Sequence, residues 1–153
     1  MKLFLLTFLL ATTFAQEYFP DIIPTSDEVL ADPYDMPKPP NSPTVACDRA
    51  LSLKDVYKPW ACNQYINWCY FNDINKGGLA KDYKGWPVVP NWSKSGTVAS
   101  GISDSGHNHV AIICGGTLCH EPNHSKKPIV CRPVNEIIKY LFKSYTLHYP
   151  PGY

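Results

Sequence analysis

The sequence predicts an α+β fold from three observations. Lys58 to Phe71 places apolar residues at helical spacing, Gly106 to His120 reads as a glycine-centred β-hairpin, and helical spacing returns from Val134. Helices packed on an antiparallel sheet account for all three.

Taken in order, Met1 to Ala15 holds a lysine, the apolar run LFLLTFLLA and then small residues ending at Ala15. This is the pattern of a secretory signal peptide, too short to span a membrane. No later segment approaches ~18 consecutive apolar residues, so no membrane span is expected. A secreted, extracellular chain would bring its six cysteines into an oxidising compartment.

Residues 16–45 differ from everything that follows. From position 17 they hold seven of the 15 prolines and six acidic residues against one base, Lys38. Such a stretch buries too little apolar surface to order itself, which predicts an extended acidic leader or pro-segment with polyproline character near Pro37-Lys38-Pro39-Pro40. Residues 46–153 then form one domain. They carry 12 Lys and Arg against seven Asp and Glu, a balance of +5 that the whole-chain figure of +1 conceals. A basic domain favours polyanionic partners, although the scattered lysines do not single out nucleic acid, and none is expected.

Within the domain, Cys47 heads an apparently amphipathic stretch supported by Ala50, Leu51, Leu53 and Val56. Pro59 and Trp60 suit the opening of the next helix, whose apolar stripe contains Tyr65, Ile66, Cys69 and Tyr70. Cys62 falls in its first turn. There the free backbone N–H groups and the helix dipole favour a thiolate, which predicts a pKa lowered from ~8.5 to about 3.5–7.5 with a histidine nearby. Lys81 to Trp92 is aromatic and proline-rich and reads as a loop on a cleft wall, with Trp86 and Trp92 as candidate substrate contacts.

In the hairpin, HVAIIC is apolar on both alternating faces, as in a strand covered on both sides. Gly115-Gly116 supplies a two-residue turn that needs positive φ, which sets Cys114 opposite Thr117, Ile113 opposite Leu118 and Ala111 opposite His120. His109 and His120 then share a face as diagonal neighbours, ~7–8 Å apart at the backbone, where one imidazole can orient and polarise the other. His107 has the same parity but sits among loop residues. Beyond the hairpin, Ile129 to Cys131 reads as a short strand and Val134 to Tyr145 as a helix, with LHYPPGY extended.

A helix-opening cysteine followed by a strand-opening histidine resembles a known family. Cys62-Asn63-Gln64-Tyr65-Ile66, Ser95 to Ser100 and Gly106 to Ile113 are similar to the NlpC-like and CHAP-related cell-wall peptidases. The resemblance implies a papain-like fold, with the Cys62 helix packed on an antiparallel sheet. It implies Cys62 as nucleophile, His109 as general base and His120 as orienting partner. The substrate class would be peptidoglycan stem peptides or a related amide, with no cofactor and a monomeric enzyme. Ala111 replaces the usual glycine after His-Val, Thr97 the aspartate of the turn, and His120 falls one residue early, which leaves Glu121 or Asn123 as substitutes for it.

Other uses of the same residues follow from the residues themselves. Cys47 is the alternative nucleophile. Structural pairing of Cys119 with Cys131 and of Cys47 with Cys69 is open, whereas Cys114 and Cys119, diagonal in the hairpin, are poorly spaced for a bridge. Cys114, Cys119, His120 and His124 offer metal-ligating atoms at a spacing that matches no zinc pattern well. The rival functions are a disulfide-stapled binding protein and a secreted ribonuclease using two histidines and a lysine. Asn91-Trp92-Ser93 and Asn123-His124-Ser125 are glycosylation sequons that belong on the surface.

Overall fold

The computed structural model describes residues 36–122 and 126–153. The expected signal peptide, the leader up to residue 35, His124 and the sequon at Asn123 lie outside the described residues.

The first helix, α1 (Pro43–Ser52), opens at Pro43 behind Ser42, whose hydroxyl accepts the N–H of Val45. Proline at the first helical position and a serine cap are the usual means of satisfying free N–H groups at a helix start. Cys47 therefore sits in mid-helix instead of opening one. Its sulfur is bonded to Cys114, which removes it as a nucleophile and replaces the expected Cys47–Cys69 pairing. Cys69 is a free, buried thiol.

Helix α2 (Cys62–Phe71) begins at Cys62, with the Gln64 side chain accepting the Ala61 N–H at 2.8 Å. It ends at Asn72, whose positive φ of 58 is a conformation that asparagine tolerates. Arg49 ties the two helices together by donating to the carbonyl of Trp68 and to Asn72 Oδ1.

Five antiparallel strands follow: β1 (Thr97–Ser103), β2 (Asn108–Cys114), β3 (Thr117–His120), β4 (Val130–Pro133) and β5 (Phe142–His148), in the order β4-β3-β2-β1-β5. The hairpin has the expected register, Cys114 with Thr117 and Ile113 with Leu118. Gly115 and Gly116 turn it with φ of 56 and 81. β3 and β4 place Cys119 opposite Cys131, and the two are bonded.

Helix α3 (Val134–Leu141) is shorter than its periodicity suggests. The chain passes from Leu141 directly into β5, correcting the helix expected to Tyr145, while Leu147 and His148 of the expected extended tail are the end of that strand. Aromatic and β-branched residues at Phe142, Tyr145 and Thr146 favour a strand. The outer edge of β1, with its unpaired backbone groups, supplies the ladder.

The two faces of the sheet carry separate cores. Val98, Val110, Ile112, Cys114 and Cys119 pack with α1 and α2, whereas Ala99, Ala111, Ile113 and Leu118 pack with Val134, Ile138, Phe142 and Leu147. Both faces of β2 are covered, which is why it reads as a continuous apolar run.

The leader boundary also moves. Asn41 donates its backbone N–H to Tyr70 and its side-chain amide to the carbonyl of Cys69, and Tyr153 donates its hydroxyl to Pro39. Residues 36–45 thus belong to the folded unit, and the domain begins before Ala46.

Candidate active site

Cys62, the first residue of α2, is 4% exposed on the α1–α2 face of the sheet. Its thiol lies against the backbone N–H of Val110, the residue after His109, and against the N–H groups of Asn63 and Cys62 at the helix start. The availability of Val110 follows from the register. Cys114–Thr117 flanks a two-residue turn, so hydrogen-bonded pairs recur at alternate positions and Val110 would bond next with Glu121. The β2–β3 pairing runs only as far as Ile112 and Cys119. The N–H of Val110 therefore faces the open end of the ladder, where the thiol meets it.

His109 reaches the same end of β2 from the other side. Its parity is that of Ala111 and Ile113, its ring lies 5.6 Å from Phe142, and it is 2% exposed. His109 Nε2 and His120 Nδ1 are 3.2 Å apart, with the rings nearly perpendicular. The diagonal pairing expected from the hairpin is thus present, and His120, not Glu121, occupies the position beside the imidazole. Glu121 has the opposite parity, is 1% exposed, and acts on Cys62 from the α2 side. The remaining nitrogen of His109, Nδ1, is buried and has no hydrogen-bond partner among the described residues. In the tautomer with the proton on Nε2, donated to His120, that nitrogen presents a lone pair and is a base without an occupant.

The electrostatics differ from the expectation at the helix start. Burial raises the Cys62 thiol above its ordinary value, the N–H groups of Val110, Asn63 and Cys62 pull it back, and the Glu121 charge raises it further. The helix terminus acts in the direction anticipated but is outweighed by desolvation. Burial takes His109 down to about 3, helped by His120, and takes His120 down to about 4 against a backbone hydrogen bond at Glu121. The resting site is a neutral thiol and two neutral imidazoles, not a thiolate–imidazolium pair.

Several anticipated contacts have other positions. Trp86 is 2% exposed and stacks edge-on with Tyr70 and Tyr83, so it is a core residue with no surface for substrate. Trp92 is half-buried against the α3-side core, away from Cys62. His107 is exposed in the turn before β2. Cys114 and Cys119 are in disulfides and cannot offer thiolates to a metal. The Cys-Asn-Gln-Tyr context has structural duties too: Asn63 donates to the carbonyl of Gly78, Gln64 caps the helix, and Tyr65 donates to the carbonyl of Ala50.

A cleft that the sequence does not announce opens onto the histidines. It is lined by Ser103, Asp104, Ser105, Pro122, Tyr140 and Leu141 together with His109 and His120, and has a volume of about 290 Å³. Its walls come from a turn and a helix end that are far apart in the chain. The signal that could have pointed to it is the polar Ser-Asp-Ser turn just before the hairpin. Compared with protein-family models, with curated proteins and with solved structures, the chain matches none.

Proposed function

We propose that the chain is a secreted, monomeric cysteine hydrolase of papain-like, NlpC-like type that cleaves amide bonds, with peptidoglycan stem peptides as its substrate class. The observation that carries this reading is the buried Nδ1 of His109, without a partner, on an imidazole whose Nε2 is held by His120, one residue from the backbone N–H that meets the Cys62 thiol. Two disulfides suit an extracellular protein, and no helix among the described residues is long and apolar enough to cross a membrane.

In this reading the proton of the neutral Cys62 thiol, which is not hydrogen-bonded to His109 Nδ1 at rest, passes to that nitrogen as sulfur attacks the carbonyl carbon. The N–H of Cys62 at the helix start holds the oxyanion. His109 returns the proton to the leaving amine, and water then releases the acyl group. His120 orients the imidazole. Purified peptidoglycan should yield new amines with the wild type and none with Cys62→Ala; equal yields would remove Cys62 as nucleophile.

The separation of Cys62 and His109 on two faces of the sheet favours a second reading, a disulfide-stapled binding protein in which both are core residues. A wild-type protein inert towards peptidoglycan and simple amides would select it.

A further inference from the structure

We propose that the cleft beside the histidine pair is the amine-side subsite of the reaction, and that Asp104 and Tyr140 make it select an amine half carrying a positive charge. This rests on the hydrolase reading above. When the acyl group transfers, the S–C bond forms and the C–N bond breaks. The proton that left the thiol for His109 Nδ1 then goes to the departing nitrogen. Water next gives a proton to His109 and its oxygen to the acyl carbon, and the thiol recovers its proton as the acid leaves. The amine half must therefore lie on the imidazole side and the acyl half on the thiol side. Here those sides are physically divided, because Cys62 belongs to the α1–α2 face whereas the cleft onto His109 opens on the face that carries α3.

The chemistry of the cleft narrows what it accepts. Ser103 and Ser105 are 2.9 Å apart through their hydroxyls, and Ser103 also bonds to the carbonyl of His107, so the turn between them is held in place. Asp104 stands at its tip, exposed, and is the one charged residue among the described residues lining the cleft, since the two imidazoles are neutral. Tyr140, which lines the same cleft, is 67% exposed, an aromatic surface that the core does not use. A carboxylate and an exposed aromatic ring lining one cleft suit an ammonium or guanidinium group. The Lys139 ammonium, 4.9 Å above the Tyr140 ring, works against this, so the preference should be modest.

The test uses the full chain and amides that share one acyl group but differ in their amine half: lysine amide, norleucine amide or glutamate amide. The wild type should favour lysine over norleucine by ~3–5-fold in kcat/KM and disfavour glutamate by a similar factor, as exposed charge pairs of this kind allow. Asp104→Asn should level the series and Asp104→Lys should invert it, while Tyr140→Ala weakens all three. An unchanged order in Asp104→Asn would overturn the proposal and leave the hydrolase reading intact. A second measurement is independent of turnover: lysine amide added to Cys62→Ala protein should shift the ring signals of His109 and His120, and Asp104→Asn should abolish the shift. If the rings respond in this way but no amide is cleaved by the wild type, the cleft binds cations and the hydrolase reading falls. If the rings do not respond, the cleft assignment falls.

Discussion

At Cys62 two influences oppose each other, and their sizes decide the chemistry. Three backbone N–H groups draw the thiol towards ionisation, while burial and the Glu121 charge hold it neutral, and burial is the largest of these. Alkylation by iodoacetamide at pH 6 should therefore be slow in the native protein, and Glu121→Gln should accelerate it by lowering the thiol pKa. No acceleration would show that Glu121 does not act on the sulfur. The histidines make a prediction of their own. Their pKa values are about 6.5 in the unfolded chain and about 3 and about 4 in the fold, so on acidification the unfolded chain binds protons first. The stability they confer is complete above pH 6.5 and is lost as pH falls through 6.5 towards 4, by on the order of several kcal/mol for the pair. His148, also lowered by burial, acts in the same direction. Urea midpoints measured from pH 7.5 to 4.5 should fall steeply in the wild type and less steeply in the His109→Gln, His120→Gln double variant.

At the scale of elements, one glycine governs how closely β5 approaches β1. A Cβ on Gly101 would stand 2.0 Å from the carbonyl oxygen of Ser144 and 2.7 Å from Cα of Tyr145. Backbone cannot yield as a flexible side chain can, so Gly101→Ala should disrupt the β1–β5 ladder. It should also loosen Phe142 from the His109 ring. The expected loss exceeds the ~1 kcal/mol of an ordinary substitution, and amide exchange along Ser144 to Leu147 would rise with it; unchanged protection there would refute the argument. The disulfides are ranked by the chain they close. Cys47–Cys114 spans 67 residues and Cys119–Cys131 only 12. On loop-closure entropy, alanine replacement of the first pair should cost about 4 kcal/mol and of the second about 3 kcal/mol.

On the scale of the whole molecule, the candidate site lies where two cores meet at the open end of the β2–β3 ladder, and the folded unit includes residues before Ala46. A chain beginning at Ala46 should melt several degrees below one beginning at Met36. The shorter form loses the Ser42 cap, worth ~1 kcal/mol, along with the Asn41 bonds to α2 and the Pro39 contact of Tyr153. Equal melting of the two would show that residues 36–45 contribute nothing to the domain.

Local rules were enough for much of this architecture. The two glycines set the hairpin register, period-two parity placed His109 and His120 on one face, and helical spacing located α2 with Cys62 in its first turn, because each depends on neighbours a few residues apart. Parity also put Glu121 on the opposite face, legible once the register is known. What required the tertiary structure were the properties set by distant partners. Cys47 found Cys114 because α1 crosses β2, and α3 stopped at Leu141 because β1 needed an edge partner. Trp86 became core, and Asp104 and Tyr140 came to line one cleft. The reversal at Cys62 has the same cause: a helix start can be read from five residues, but the desolvation that outweighs it comes from every element packed around the thiol.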